Sequence, residues 1–354
     1  MGFKDSNPII NADLEHIVSS ALPWEFFRDK TVMVTGGGGF LAAYLVKTLL
    51  YASNKYELNV KIVAITRSIP ENCYRLLECT PSPNFRIFKH DLNAPLPPDF
   101  PTANIVIHSA SQASPKYFGT DPVGTIKTNS IGTMFLLDHA VQHNAERFLF
   151  FSSGEVYGEL PDSSKTISED DYGFVNPLKL RSSYAESKRL GETMCVAWEH
   201  QYGLPTLIVR PFHTYGPGMS LDDGRVFADF VADVVAKRDI TVKSDGSAFR
   251  LFCYLTDATL GFLTVLLKGE FGQAYNIANP KAEISVKELA RTISGLFPER
   301  NLGVRFENLI LDGSYLKSSI VRQVPSIEKA IGLGWEPVVD VPTGFKRTIL
   351  SYLE

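Results

Sequence analysis

The stretch "VMVTGGGGFLAAYL", Val32–Leu45, sets four consecutive glycines between an apolar run rich in β-branched residues and a run with helical spacing. A flexible loop would account for four missing side chains. So would a bulky anion that must approach the backbone closely. The context favours the anion: a strand before the glycines and a helix after them. In such a turn, backbone N–H groups and the positive N-terminus of the helix face a diphosphate, and any side chain would hold the anion away. Gly37, Gly39 and Ala42 match G-x-G-x-x-A, while Gly36, Gly39 and Ala42 match G-x-x-G-x-x-A. Spacing alone leaves that register open, but either register predicts a dinucleotide site.

Outward from the glycines, strand-like and helix-like segments alternate. Strands are expected at Thr31–Thr35, Lys61–Thr66, Phe85–His90, Ile105–Ala110, Phe148–Ser153 and Thr206–Arg210, with helices at about Leu41–Ala52, Thr125–His143 and Ser183–Gln201. That alternation implies βαβ crossovers and an α/β fold around a doubly wound parallel sheet. Residues 1–28 read as an N-terminal extension with a short helix around Ala12–Ala21. After Pro211, Gly, Pro and Asp become common and short runs appear, such as Ile240–Lys243 and Ala274–Ile277. We expect a dinucleotide-binding domain over 29–210, joined by about 251–275, and a smaller interleaved substrate-binding lobe over 211–250 and 276–354.

Composition narrows the function classes. The chain has 354 residues, a net charge of −4 and a pI of about 6.0, so nothing argues for a nucleic-acid partner. No apolar run approaches the roughly 18 residues of a membrane span. Asp5, Asp13, Glu15 and Glu25 do not suit a secretory signal. Cys73, Cys79, Cys195 and Cys253 lack zinc spacing and read as buried free thiols, so a cytoplasmic protein without a metal site is expected.

The end of the second strand bears on the cofactor. An acid there would bind the adenosine ribose of NAD. The sequence instead reads "AITRS", and Arg67 could pair with the 2′-phosphate of NADP or simply be solvated. NAD or NADP is therefore expected. Asp91, after the third strand, could bind the adenine edge or cap a turn.

The chemistry centres on "SSYAESKRLGE", which sets Tyr184 and Lys188 at i and i+4 on one helix face. A free tyrosine ionises near pH 10, so a base near neutrality needs its phenolate favoured by about 3 units, roughly 4 kcal/mol. An ammonium about 4 Å away at an effective dielectric near 20 has a gross interaction of about that size. Desolvation subtracts from it, and the hydroxyl of Ser153, at the end of the fifth strand, is the expected helper.

Taken together, "VTGGGGFLAAYL", "KHDLNAPL", "IHSASQASPKY", "TIKTNSIGT", "SSGEVYG", "YGFVNPLKLRSSYAESKR", "RPFHTYGPGM", "DDGRVFADF" and "DGSAFRLFCYLTDA" resemble the extended short-chain dehydrogenases/reductases of the nucleotide-sugar epimerase/dehydratase group. Within that group the chain is most similar to UDP-glucuronate decarboxylases, over about residues 30–280. The resemblance implies a Rossmann-like fold, a nucleoside-diphosphate sugar as substrate and a homodimer through the helix carrying Tyr184. It also implies a cycle. Tyr184 removes the proton of the sugar 4-hydroxyl as C4 gives hydride to the nicotinamide, Lys188 holds the nicotinamide ribose, and Ser153 bonds the reacting oxygen. A second step follows and hydride returns. Cofactor contacts are implied at Gly36, Gly39, Phe40, Leu41, Arg67, Asp91, Leu92, Ser109, Ala110, Ser111, Asn129, Tyr184, Lys188 and Pro211.

The second step turns on "SSGEVYG". Where dehydratases carry an acid before a glutamate, this chain has Gly154 and Glu155. Glycine cannot protonate a leaving hydroxyl, which disfavours 4,6-dehydration. Decarboxylases usually carry serine there, so Gly154 departs from that pattern too. Epimerisation through a 4-keto intermediate needs no such acid and ranks first, with decarboxylation as the alternative and a cofactor-binding regulator as a distant third. Glu155 is expected to move a proton at C5. Arg225 resembles the arginine that grips the diphosphate, Arg250 one near the diphosphate or the C5 substituent, and Tyr117 a wall of the sugar pocket. His213 stands where most relatives have Asn, and could add pH dependence.

Overall fold

The computed structural model describes residues 3–67, 73–162, 165–307 and 322–353. Five strands of the first half, β1 (Thr31–Thr35), β2 (Lys61–Thr66), β3 (Phe85–Lys89), β4 (Ile105–His108) and β5 (Arg147–Phe151), are joined by β6 (Thr206–Pro211), after which β7 (His213–Tyr215), β8 (Phe249–Tyr254), β9 (Ala274–Ile277) and β10 (Glu283–Ser285) follow. The central sheet runs β9-β6-β5-β4-β1-β2-β3, all parallel, with Thr31 opposite Lys61 and Val32 opposite Ile105. The doubly wound sheet is thus as expected. Its strands are apolar on both faces because both are covered. On β1, Val32 and Val34 belong to one buried cluster, and Met33 belongs to the cluster on the opposite face.

Helices α1 (Pro8–Val18), α2 (Phe40–Lys55) and α8 (Leu255–Lys268) contribute to the first layer. Between α2 and α8 in the chain come α3 (Pro115–Thr120), α4 (Pro122–Lys127), α5 (Thr133–Gln142), α6 (Ser182–Tyr202) and α7 (Val226–Val235). Of these, α5 and α6 contribute to the second layer, through Leu136, Leu137, Ala140 and Cys195. A separate cluster of Tyr215, Phe227, Phe230, Phe252, Leu289 and Phe345 forms the core of the smaller lobe. All four cysteines are free and buried.

Several expectations needed correction. The helix expected over Thr125–His143 is interrupted by a π-helical turn at Thr128–Gly132. Gly132 lies so close to Leu92 that a Cβ would sit 3.0 Å from its Cβ and carbonyl oxygen. The hydroxyls of Thr128, Ser130 and Thr133 donate to carbonyls four residues back, which competes with the regular ladder. Ala274–Ile277, which the expected boundary near 275 divides between the two lobes, is as a whole the edge strand of the large sheet, paired with Ile208–Pro211. Conversely β8 pairs with β7 and β10 in a three-stranded sheet separate from the large one. Part of the expected lobe, 308–321, lies outside the described residues.

The N-terminal helix begins earlier than expected because Asn7 caps it and Pro8 occupies its first turn. Leu14, Ile17 and Val18 are fully buried. Asp13, also buried, accepts from the hydroxyls of Tyr44 (2.9 Å) and Tyr254 (2.7 Å) and from Nε of Arg347 (3.0 Å).

Candidate active site

A cavity of about 390 Å³ opens at the carboxyl ends of β1, β4, β5 and β6, where an open α/β sheet offers its crevice. The glycine turn forms one wall. Gly36 has φ +65°, and a Cβ there would meet Ala110 Cα at 2.7 Å; a Cβ on Gly37 would meet the Ala64 side chain at 2.6 Å. Two of the four glycines are therefore required by packing of the turn against β2 and the end of β4. Gly36, Gly39 and Ala42 line the cavity and Gly37 does not, an arrangement that favours the register G-x-x-G-x-x-A. A diphosphate fits this cradle at the N-terminus of α2, whose first-turn N–H groups have no side-chain cap. The buried hydroxyl of Ser111, on the cavity wall, has no protein partner, as expected of an atom kept for a ligand.

At the opposite wall, Tyr184 and Lys188 project from the first turns of α6, both buried. Burial pushes the Tyr184 hydroxyl up to about 12; a hydrogen bond with Ser153 works against this, the charge of Glu155 adds to it, and that of Arg225 works against it. Burial pulls Lys188 down to about 7 against the charge of Glu192. The Lys188 ammonium donates to the Phe151 carbonyl at 2.6 Å and sits 5.9 Å from the Tyr184 ring centroid.

Ser153 and Glu155 enter from a one-turn 3-10 helix after β5, with the Ser153 Oγ accepting the Glu155 N–H at 3.2 Å. Gly154 leaves no side chain to fill: a Cβ there would lie 2.8 Å from Cε1 of Phe212. Glu155 Oε1 accepts from Nη2 of Arg181 at 2.9 Å. His213, Arg225 and Arg250 line the other end. Burial first, then the charges of Arg250 and Arg225, push His213 down to about 3, so its expected pH dependence is corrected to a ring that stays neutral.

The cavity also gathers Phe40, Leu41, Ser109 and Pro211 of the expected set. Other expected residues stand elsewhere. Tyr117 is 39% exposed outside the cavity, and its neighbour Phe118 takes the place, stacked on Tyr184 with centroids 4.8 Å apart. The Arg67 side chain is exposed beyond β2, its charge felt by Asp121. Asp91 is exposed and accepts the Asn93 N–H, so it caps a turn. Leu92 packs on Gly132, and Ala110 supports Gly36 by packing. Asn129 donates to Ser187 at 3.0 Å beneath the site. Sequence reasoning missed Phe118, Arg181 and Phe212. Arg181 carried a usable signal, since it precedes Tyr184 by one helical turn.

Comparisons with known proteins agree with this picture. The chain is 36% identical to UDP-glucuronic acid decarboxylase 6 of Arabidopsis thaliana, covering 90% of this chain and 88% of that protein. It is 33% identical to UDP-glucuronic acid decarboxylase 1 of Xenopus tropicalis, over 90% and 71%. The crystal structure of UDP-glucuronic acid 4-epimerase from Bacillus cereus with UDP-glucuronic acid and NAD superposes with a TM-score of 0.75 at 22% identity, covering 91% of this chain and 99% of that one, a likeness of fold. The sequence pattern of the NAD dependent epimerase/dehydratase family matches residues 32–278, and with the glycine cradle, Tyr184 and Lys188 on one cavity, the chain belongs to that family of enzymes.

Proposed function

We propose that the chain decarboxylates a nucleoside-diphosphate hexuronate through a transient ketone at C4, with Tyr184, Lys188, Ser153 and Glu155 carrying the chemistry. The observation that supports this most is the position of Glu155. Among the described residues it is the single carboxylate lining the cavity that also holds Tyr184 and Ser153. Gly36, Gly39 and the N-terminus of α2 would hold NAD, which would supply the hydride acceptor for C4 and the source of its return. Tyr184 takes the proton of the 4-hydroxyl, and Ser153 bonds the same oxygen as it becomes a carbonyl. The ketone makes the C5 carboxylate a β-keto acid, which loses carbon dioxide without any acid at position 154. The electron pair moves to the C4 oxygen, where Tyr184 and Ser153 hold the enolate. Glu155 then moves a proton to C5, and Tyr184 returns its own proton as the 4-hydroxyl is restored.

Epimerisation through the same ketone is the second reading, supported by Gly154, which suits a step with no leaving group. The sequence alone ranked it first. Similarity to UDP-glucuronic acid decarboxylases over nine-tenths of the chain reverses that order. Arg67 and the missing acid at the end of β2 support NADP as an alternative cofactor. Exposed Val123 and Ile126 on α4 and Leu190 and Val196 on α6 support a homodimer through these two helices, which touch each other. No helix among the described residues is long and apolar enough to cross a membrane.

Incubation with UDP-glucuronate and NAD in deuterium oxide tests the reading. Release of carbon dioxide with one deuterium at C5 is the expected result. A product of unchanged elemental composition overturns decarboxylation in favour of epimerisation. Glu155→Gln should still produce reduced cofactor but no deuterium at C5, because Gln cannot relay the proton.

A further inference from the structure

Three guanidiniums line the cavity, and they fall into two groups. Arg225 and Arg250 both bear electrostatically on His213 and mark one end. Arg225 is oriented by Asp223, whose Oδ2 accepts its Nε at 2.7 Å, and Arg250 donates from Nη1 to the Phe249 carbonyl at 2.7 Å. Two phosphates of a nucleoside diphosphate match this pair in number and charge. Arg181 stands at the N-cap position of α6, one helical turn before Tyr184, whose hydroxyl also feels the charge of Arg225. Its guanidinium lies 5.5 Å from the Phe118 ring, on the side chain that stacks on Tyr184, and its Nη2 holds Glu155 at 2.9 Å. Arg181 is thus a third cation on the cavity wall, beyond the two that match a diphosphate, and its carboxylate partner lines the same cavity.

We propose that Arg181 reads an anionic substituent on the sugar, a carboxylate, and that substrate binding exchanges one carboxylate for another: the sugar's anion takes the guanidinium and Glu155 is released to work at C5. This rests on the reading above and specifies how it selects its substrate. The pair is suited to exchange. Its side chains are 20% and 32% exposed, so neither charge is sealed in the interior, and an incoming carboxylate reaches the guanidinium from the cavity. Both residues also line a smaller adjoining recess of about 60 Å³, together with Asn176 and Lys179, which gives the displaced Glu155 side chain room to turn. The contrast with Arg210 and Glu192 is instructive. There the side chains are 3% and 13% exposed, both carboxylate oxygens are held at 2.9 and 2.7 Å, and Ser152 adds a third bond. That pair is built to stay closed. With a neutral sugar Glu155 stays on Arg181, so the second step runs only when the substrate carries the anion that the step consumes.

Calorimetric titration of the NAD-loaded protein with UDP, UDP-glucose and UDP-glucuronate tests the exchange without relying on turnover. The protein should prefer UDP-glucuronate over UDP-glucose by about 10- to 100-fold, the range of a charge-assisted hydrogen bond. Arg181→Met should erase that preference and leave UDP and UDP-glucose within about threefold of their original affinities, while Arg181→Lys keeps part of it. Glu155→Gln removes the resident carboxylate and should tighten UDP-glucuronate alone, a gain that vanishes in the Arg181→Met/Glu155→Gln double variant. Equal weakening of all three ligands by Arg181→Met, or no tightening by Glu155→Gln, overturns the exchange. Binding of UDP and UDP-glucose with no preference for the glucuronate overturns it too, while leaving C4 chemistry intact. Failure of all three to bind the folded protein overturns the nucleotide-sugar reading beneath it.

Discussion

Replacing Lys188 by Met asks how a buried tyrosine becomes a base. The Tyr184 hydroxyl is pushed up to about 12 by its burial. Ionising it at pH 8 therefore costs about 4 units, or about 5 kcal/mol. Taking the 5.9 Å from the ammonium to the ring centroid as the scale of the separation, a charged Lys188 offers about 2.8 kcal/mol at an effective dielectric near 20, or about 2 units. It meets about half of the cost. The remainder must come from the loaded site, chiefly charge on the bound cofactor, because the Ser153 hydrogen bond already acts on the hydroxyl at about 12. Burial also pulls Lys188 down to about 7, so the two groups titrate as a coupled pair and the limb of the rate profile belongs to both. The sign follows from charge. Removing a cation disfavours the phenolate, so the limb on which the rate rises with pH moves to higher pH. We expect a shift of about 2 units, with C4 oxidation slowed about 100-fold near neutrality and partly recovered in alkaline buffer. Single-turnover formation of reduced cofactor, followed by absorbance across pH on protein saturated with NAD, measures this directly. A uniform loss at every pH, with the limb unmoved, refutes the electrostatic role and leaves Lys188 as a cofactor anchor.

Tyr184→Phe should cut C4 oxidation by about 10²- to 10⁴-fold with UDP affinity unchanged in calorimetry, since it removes the base and keeps the ring that stacks on Phe118. Gly154→Ser forces its Cβ against the Phe212 ring and should lower stability by about 1–3 kcal/mol in urea denaturation, with recovery when Phe212→Leu is added. His213→Asn should leave the pH profile of turnover between pH 5 and 8 unaltered, because the His213 ring is already neutral down to about 3. Arg67→Asp should weaken NADP far more than NAD in fluorescence titrations, and equal losses would show that Arg67 does not meet a 2′-phosphate.

The large sheet was legible because its strands are short apolar runs bounded by turns and alternate with helices long enough to show their period. Where the fold departed from that reading, distant residues decided. The π-helical turn at Thr128–Gly132 packs against Leu92, whose Cβ and carbonyl oxygen crowd the place where a side chain on Gly132 would start. The run "AYNI" is too short to declare its sheet, and only pairing with β6 makes it a strand of the large one. Asp13 reads as a solvated position on an amphipathic helix. Burial raises its carboxyl above the ordinary range, and Tyr44, Tyr254 and Arg347 surround it, the last of these 334 residues along the chain. No local pattern encodes a contact of that span.

The site divides along the same line. Tyr184, Lys188 and Ser153 were legible because each lies at a place fixed by secondary structure: two on one helix face, the third at a strand end. Tyr117 and Phe118 were not separable in sequence, since both are aromatic and adjacent. Their helix turns one toward solvent and the other onto Tyr184. Gly154 shows why an unexpected residue type is weak evidence about mechanism when read alone. In sequence it is a missing serine or acid and argues against two reactions. In the fold the aromatic ring of Phe212 already occupies the space such a side chain would need. The loss at 154 therefore leaves no vacancy in the cavity wall, and in the proposed mechanism the burden of the second step rests on Glu155 and the guanidinium that holds it.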